Sequence, residues 1–261
     1  MKIYIPTLGR ANRQKTYSLL PDSLKSITTL VVQEHEKTLY GEFPSVLVLP
    51  DNIRTITPTR RYIVDTAPTN KVIMLDDDIQ FYIRRDDSEW RLRDCDKEDT
   101  ERLFQELEKR LDTYAHVGVS GREGNNRVTA DFVENTRYMR LLAYRKDFLQ
   151  QIDHNRVVVM EDFDNNLQLL RKGHKSLVYY KWAQGQKQTN DVGGCSVWRT
   201  HKVHEDAATE LSNLHPGFVK LVQKENKTGG EFGKRTEVMV FWKKAYESSQ
   251  KEKKDEAKNL K

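Results

Sequence analysis

Four short apolar runs lie within the first 80 residues: Lys2–Pro6 (KIYIP), Thr28–Val32 (TTLVV), Ser45–Leu49 (SVLVL) and Lys71–Leu75 (KVIML). Each is too short for a buried helix and rich in β-branched and aliphatic side chains, so the four read as buried strands. Helical signals separate them. Arg13–Leu20 and Thr59–Ala67 are predicted helices, the second opening with Thr57 as N-cap and Pro58 at the first helical position, where a missing N–H costs nothing. Strands and helices in alternation feed one sheet, so the predicted class is α/β, with a central, mostly parallel, Rossmann-type sheet flanked by helices.

Beyond the fourth run the texture changes. Asp86–Asp99 is mixed in charge, without a period, and reads as a loop. Leu103, Leu107 and Leu111 then recur at spacings of four beside Phe104, the stripe of an amphipathic helix lying on the sheet. Strand character returns at His116–Ser120 and Met139–Tyr144, with the turn-rich GREGNNR (Gly121–Arg127) between them. A short helix and the apolar run VVVM lead into a helix carrying Phe163, Leu167 and Leu170 and closed by Gly173. Gly185–Ser196 reads as a loop, Glu205–Leu214 and Pro216–Val222 as helices, and Thr236–Trp242 as a strand. With no repeat and no linker, residues 1–246 are expected to form one two-lobed domain, and residues 247–261 a flexible lysine-rich tail.

The net charge of +5 points to an acidic partner only if the charge is spread over the body. It is not. From Lys243 to Lys261 seven lysines face four acids, so this stretch supplies three of the five net charges. A basic end of this kind is more often solvated than a binding arm, and global charge says little about nucleic acid. Cys95 and Cys195 are too few and too far apart for a stapled scaffold or a cysteine-rich zinc site, and are expected as free thiols in a reducing compartment. No apolar run approaches the ~18 residues that span a bilayer, and MKIYIPTLGR lacks the order of a secretory signal. A cytoplasmic protein is expected, with no membrane partner.

The strongest chemical signal is Val72–Phe81, VIMLDDDIQF, in which an apolar strand runs directly into Asp76, Asp77 and Asp78. In open parallel sheets the ligand crevice lies outside the carboxyl ends of the strands. Three adjacent carboxylates repel one another beside a core unless a cation neutralises them. Aspartate oxygens suit a hard ion such as Mg²⁺ or Mn²⁺, held also by a diphosphate. An isolated DDD is usually a solvated acidic loop; its place behind a buried strand reverses that weighting. Glu161 and Asp162 form a second pair after VVVM, where acids also serve simply to complement a helix dipole.

Two further loops, PTLGR with Pro6, Thr7, Gly9 and Arg10, and TPTRR with Arg60, suit the base edge and phosphates of a nucleotide through backbone amides and guanidinium groups. No P-loop or GxGxxG fingerprint is present. Asn125, Asn126 and Arg127, then Asn135 and Arg137, then Gly194 and Arg199, are polar, basic or flexible positions suited to an acceptor's sugar or base edge and phosphates. His201 and His204 are most simply surface or satisfied residues.

The order of these elements resembles the GT-A glycosyltransferases, in which an aspartate-any-aspartate motif holds metal and nucleotide sugar and a glutamate-aspartate motif faces the acceptor. More closely, IPTLGRANRQKT, TPTRRYIV, MLDDDIQF, GREGNNR, ENTR, EDFDNNLQLLRKGH, GGCSVWRT and RTEVMVFWKKA together resemble the phage and TET-associated glycosyltransferases of hydroxymethylated DNA bases. The likeness runs to about residue 246. It implies a GT-A-like sheet with a nucleotide-sugar half over residues 1–120 and an acceptor-side lobe over 121–246. It makes Asp76 and Asp78 metal and ribose-diphosphate ligands, places Asp77 on the donor side, and makes Asp162, with Glu161 beside it, the candidate acceptor base. A C-terminal histidine ligand is also implied; His201 and His204 both qualify, and His204 is the one assigned.

The implied reaction is metal-dependent transfer of a sugar, glucose from UDP-glucose in the first instance, to a 5-hydroxymethylpyrimidine (5-hydroxymethylcytosine or 5-hydroxymethyluracil) in DNA, in the cytoplasm of an infected bacterial host. The base role of Asp162 presumes inversion at the sugar. Two alternatives use the same residues: a nucleotidyltransferase making sugar nucleotides, for which PTLGR is too short a loop, and a non-enzymatic DNA-binding protein, which leaves three aspartates where phosphate would approach.

Overall fold

The computed structural model describes residues 1–186, 193–225 and 233–259. Strands β1 (Lys2–Pro6), β2 (Thr28–Gln33), β3 (Val46–Leu49) and β4 (Lys71–Leu75) coincide with the four apolar runs to within a residue. They lie parallel in the order β3-β2-β1-β4. Helices α1 (Lys15–Leu19), α2 (Asp22–Lys25) and α3 (Ile56–Thr66) connect them. After β4 come β5 (Ile79–Arg84), β6 (Leu92–Asp94), α4 (Lys97–Arg110), β7 (His116–Gly121), β8 (Phe132–Glu134), β9 (Leu141–Arg145), α5 (Lys146–Leu149) and α6 (Glu161–Arg171). The chain continues with β10 (Ser176–Gln186), α7 (His201–Leu214), a separate antiparallel hairpin of β11 (Val219–Glu225) and β12 (Lys234–Val240), and α8 (Trp242–Asn259).

The main sheet runs β3-β2-β1-β4-β9-β7-β10-β5-β6, with β8 on the other flank of β10. Following the pairings outward from β1, only β9, β5 and β8 run against the common direction, so the expectation of a mostly parallel sheet holds. Alternation along each strand sorts the core into two layers. Ile3, Ile5, Leu30, Val32, Ile73 and Leu75 face α4 through Leu103, Phe104 and Leu107. Tyr4, Val31, Val72 and Met74 face Ile63 and Val64 of α3 and Leu169 of α6. The outer side of α6 is covered in turn, as Phe163, Leu167 and Leu170 pack with Leu211, Val219, Trp242 and Ala245. Each such side chain removed from water contributes about 1.5–3 kcal/mol, and the three acids in the first turn of α6 complement its dipole.

Several boundaries differ from the sequence reading, each for an identifiable reason. Helix α3 begins at Ile56 after Thr55, and Thr57 does not cap it: its hydroxyl contacts the carbonyls of Val157 and Val158, each at 2.9 Å. Asp86–Asp99 is not all loop. It contains β6 and the first turn of α4, where Asp96 and Asp99 form a reciprocal capping box. Pro216–Val222 is not helical, because Val219 onward pairs with β12. The apolar run Val157–Met160 has no regular structure and leads into α6, as its place before the helix implied. The expected loop over Gly185–Ser196 begins inside β10, which extends to Gln186, and its residues 187–192 lie outside the described residues. The lysine-rich stretch expected to be a frayed tail continues α8 to Asn259, anchored by buried Trp242, Ala245 and Ser249.

Candidate active site

The carboxyl ends of β1 and β4 are adjacent because those strands pair directly, with Lys2 opposite Val72 and Tyr4 opposite Met74. Asp76, Asp77 and Asp78 therefore emerge beside the PTLGR loop. Their backbone is clamped by buried Thr16 at the start of α1. Its hydroxyl donates to Asp76 O at 2.6 Å and accepts from Ile79 N at 2.9 Å, while its own N–H donates to Asp77 O at 3.0 Å. The turn after β4 gives the three carboxylates different partners. Asp77, only 5% exposed, turns inward to accept from the Thr7 hydroxyl at 2.6 Å and from Arg10 Nη1. Asp78 accepts from Arg10 Nη1 at 3.0 Å and from Gln186 Nε2 at 2.6 Å. The side chain of Asp76 is 31% exposed, the most open of the three, and accepts from Arg60 Nη2 at 2.9 Å.

Thr7 and Arg10, expected to meet a nucleotide, are thus buried against Asp77, and Gln14 holds the same turn by donating to Thr7 Oγ1 at 2.8 Å and Arg10 O at 2.9 Å. Gly9, at φ 68°, donates its N–H to Glu36 Oε1 at 2.7 Å, which ties the loop to the end of β2. Pro6 ends β1. Gly194 joins this loop from far along the chain, its N–H donating to Leu8 O at 2.8 Å.

Arg60 links the two carboxylate groups. Its side chain, 9% exposed, donates to Asp76 from one nitrogen and to Glu161 from the other. Burial works against its charge, but Glu161, Asp76 and Asp162 overcome that and raise its hold on the proton. Desolvation pushes Asp76 up to about 7 despite Arg60, with Asp78 adding to the rise. Asp77 is likewise raised by burial, opposed by Arg10. Glu161 and Asp162 are raised by burial too, opposed by Arg60 for both and by Arg137 for Asp162.

Glu161 and Asp162 open α6 after Met160, a non-glycine residue at φ 67°. That left-handed residue turns the chain so that the helix starts with its acids toward Arg60. Behind them Asp164 fixes the helix. It takes Arg156 Nη2 at 2.5 Å and His215 Nε2 at 2.7 Å on Oδ1, and Gln168 Nε2 at 3.0 Å on Oδ2.

The other predicted positions divide. Exposed Arg137 lies over the Phe163 ring at 4.9 Å, and the charges of Asp162 and Glu237 both act on it. Arg199 contacts His204 Nδ1 at 2.8 Å, and its charge acts on Glu161. His204 is buried, with Nδ1 against Arg199 and Nε2 3.6 Å from Glu237. Among the described residues, no three histidine, cysteine, aspartate or glutamate side chains gather as a metal-ligand cluster, so Asp76, Asp78 and His204 do not come together. Asn125 and Asn135 hold loops instead of facing the carboxylates. Asn125 Nδ2 donates to Ser120 Oγ and Tyr180 O, and Asn135 Oδ1 accepts from Ser176 N. Asn126 and Arg127 are exposed beside them.

Sequence reasoning missed Arg140, Gln184 and Gln186. Arg140 is at φ 65°; its carbonyl accepts from Asp76 N at 2.9 Å and its charge acts on Asp76. Gln184, fully buried, reaches Met139 O at 3.2 Å. The signal was faint: the polar end of SLVYYKWAQGQ hides that β10 continues to the site.

With this geometry in hand, comparison with known proteins is specific. The sequence model of the family described as "TET-Associated Glycosyltransferase" matches residues 1–195. The chain is 25% identical over 205 residues to the "Beta-glucosyl-HMC-alpha-glucosyl-transferase" of Enterobacteria phage T2, covering 72% of each chain. To the protein of the same name from phage T6 it is 24% identical over 234 residues, 83% of this chain and 81% of that one. Glucosyl-3-phosphoglycerate synthase from Mycobacterium tuberculosis, solved with Mn²⁺, UDP and glucosyl-3-phosphoglycerate, matches with a TM-score of 0.51 at 8% identity over 92% of this chain and 86% of that one. The likeness to that solved structure is one of fold, the GT-A fold.

Proposed function

This chain belongs to the TET-associated glycosyltransferase family, and on that premise we propose that it moves a sugar from a nucleoside diphosphate donor to a hydroxyl on a hydroxymethylated pyrimidine in DNA. The observation that carries the reading is the Arg60 bridge, which sets the β4 carboxylates and the α6 carboxylates on either side of one buried cation. Asp76 and Asp78 belong to the donor. Asp162 belongs to the acceptor.

The donor side fits a hard divalent cation. Asp76 and Asp78 offer aspartate oxygens at the sheet crevice, Asp77 is withdrawn against Thr7, and the remaining coordination positions suit diphosphate oxygens. When bound, such an ion supplies charge neutralisation for the departing diphosphate. In this reading His204 stands outside the set, since among the described residues it does not gather with Asp76 and Asp78. Asp162 accepts the proton of the attacking hydroxyl as the acceptor oxygen bonds to the sugar's anomeric carbon and the bond to diphosphate breaks. Burial of Asp162 raises its affinity for a proton, which strengthens its ionised form as a general base.

The phage relatives favour a second acceptor. Their names place an α-glucosyl transfer on β-glucosyl-HMC, so the hydroxyl here is equally well one on a sugar already attached to the base. The donor bond of UDP-glucose is itself α, so an α product from it means retention, and in that case Asp162 is not the base.

The test is a matrix of UDP-glucose and other nucleotide sugars, with Mn²⁺ or Mg²⁺, against matched duplexes. The duplexes carry 5-hydroxymethylcytosine, 5-hydroxymethyluracil, β-glucosylated 5-hydroxymethylcytosine, or no modification, and digested nucleosides are read by mass spectrometry. Transfer to a modified duplex and none to the unmodified one is expected. Transfer only to free nucleotides or protein would sink the DNA acceptor.

A further inference from the structure

Helix α7, the β11–β12 hairpin and α8 lie beyond the 1–195 span of the family match. The hairpin is a two-stranded sheet of its own, not an edge of the main one. The middle of β12, at Glu237, stands on the acceptor side of the site. His204 of α7 lies 3.6 Å from Glu237 of β12 and also contacts Arg199, whose charge reaches Glu161. The charges of Glu237 and Asp162 both act on Arg137.

Alternation along the strands puts Arg235, Glu237 and Met239 on one face, and the register adds Lys224, Val222 and Lys220 opposite them. Lys220 and Lys224 are exposed, and Met239 is 51% exposed. Lys224 stands directly across from Arg235, whose guanidinium is engaged by Glu237 at 2.6 Å. Like charges directly opposite on a sheet are destabilising. On the opposite face the equivalent cation, Lys234, is across from an acid, Glu225. On the Met239 face Glu237 offsets Arg235, and Lys220 and Lys224 stand exposed beside that pair. From Lys220 to Lys224 is four residues, or ~13 Å of strand, about the rise of four base pairs at ~3.4 Å each.

We propose that this face of the β11–β12 hairpin is a docking surface for the acceptor's phosphodiester backbone, with Lys220 and Lys224 contacting phosphates while the modified base reaches Asp162. The inference rests on the DNA acceptor argued above. Complementary charge selects the occupant: Lys220 and Lys224 are exposed cations on this face, and a polyanion complements them. A two-stranded ribbon also has the width of a major groove.

The experiment compares wild type, Lys220→Glu/Lys224→Glu, Lys220→Gln/Lys224→Gln, and a charge-matched control on α8, Lys251→Glu/Lys254→Glu. KM and kcat for a modified duplex are measured over a series of salt concentrations, with donor binding followed by thermal shift. Both hairpin pairs should raise KM for duplex about 10-fold or more with kcat held, and lower the slope of log affinity against log salt by about 1.8, as expected for two lost phosphate contacts. The control should leave slope and KM near wild type. Equal slopes in wild type and both hairpin variants, or equal losses in the α8 control, would overturn the proposal while the DNA acceptor stands. A wild-type dimer that the hairpin variants convert to monomer would overturn it in favour of a second copy of the chain. A wild-type protein that modifies no DNA removes the acceptor reading itself, and the docking surface with it.

Discussion

The carboxylates of β4 and those of α6 have similar chemistry and are held by different means. Asp76–Asp78 continue a strand fixed by β1 on one side and β9 on the other, and their backbone is clamped by a neighbouring turn through Thr16. Glu161 and Asp162 stand at a helix end. That end is located by residues from three places in the chain: Thr57 and Arg60 of α3, Arg156 in the loop before the helix, and His215 after α7. A sheet register positions a group by repeated backbone bonds and tolerates the loss of one. A helix end fixed by buried ion pairs depends on each of them, because removing one partner leaves the other buried and unpaired.

The sharpest way to break the comparison is to silence each group in turn. Asp162→Asn should slow transfer by about 10²–10⁴-fold, the range for a lost general base, with nucleotide-sugar affinity kept. Asp76→Asn should instead abolish divalent-dependent donor binding, read by titration calorimetry with and without Mn²⁺. Near-normal transfer by Asp162→Asn would move the base elsewhere or point to retention.

A second change tests the ion-pair dependence of α6 itself. Asp164→Ala leaves buried His215 and half-buried Arg156 without their carboxylate and should cost about 1–3 kcal/mol in urea unfolding. The opposition of His215 and Arg156 to burial holds the Asp164 carboxyl below its usual range, so the pair is formed at neutral pH. A loss under 1 kcal/mol would show that apolar packing alone places the helix.

On the sheet side, acid should matter through His116. Its ring is fully buried at the start of β7, bonded to the Tyr138 hydroxyl at 2.8 Å and to His174 O at 3.2 Å, and desolvation pushes it down to about 3. The unfolded chain therefore binds a proton near pH 6.5 that the folded chain refuses. Stability from this group is complete above pH 6.5 and falls by about 1.4 kcal/mol per unit as pH drops toward 3. His154 and His174, also lowered by burial, add in the same direction. His116→Asn should flatten the stability profile between pH 6 and 4 by one proton's worth; an unchanged slope would refute the assignment.

The smallest expected effect is Thr57→Val. It removes the hydroxyl contacts to the carbonyls of Val157 and Val158, worth about 0.5–1.5 kcal/mol by thermal unfolding. Because that loop leads to Met160, KM for acceptor should rise while donor affinity stays constant.

The split between strand and helix also explains what was legible. VIMLDDDIQF could be read as a site because an apolar strand and its polar end are one local pattern, and Lys71–Leu75 is β4 to the residue. The glutamate-aspartate pair could be placed at a helix start for the same reason. At Asn125 and Asn135 the sequence was not decisive, because an amide in a turn-rich loop looks the same whether it meets a ligand or closes the loop on Ser120 and Ser176. Pro216–Val222 was misread because β11 takes its strand state from β12. The lysine-rich end was misread because Trp242 and Ala245 are covered only once α6 lies beneath them.

The sequence by itself determined the four parallel strands, the place of the three aspartates at a strand end, and the kinship with glycosyltransferases of DNA bases, since each is written in contiguous residues with a fixed period or spacing. Tertiary structure alone decided which carboxylates face the site. It withdrew Asp77 against Thr7 and Arg10, and brought Arg60 between Asp76 and Glu161. It tied His204 to Arg199 and Glu237, and it joined Gln186 of β10 to Asp78. The physical reason is that strand formation follows from side chains a few residues apart, whereas a buried charge selects its partner by what the packed sheet and helices leave within about 3 Å of it, over separations of a hundred residues.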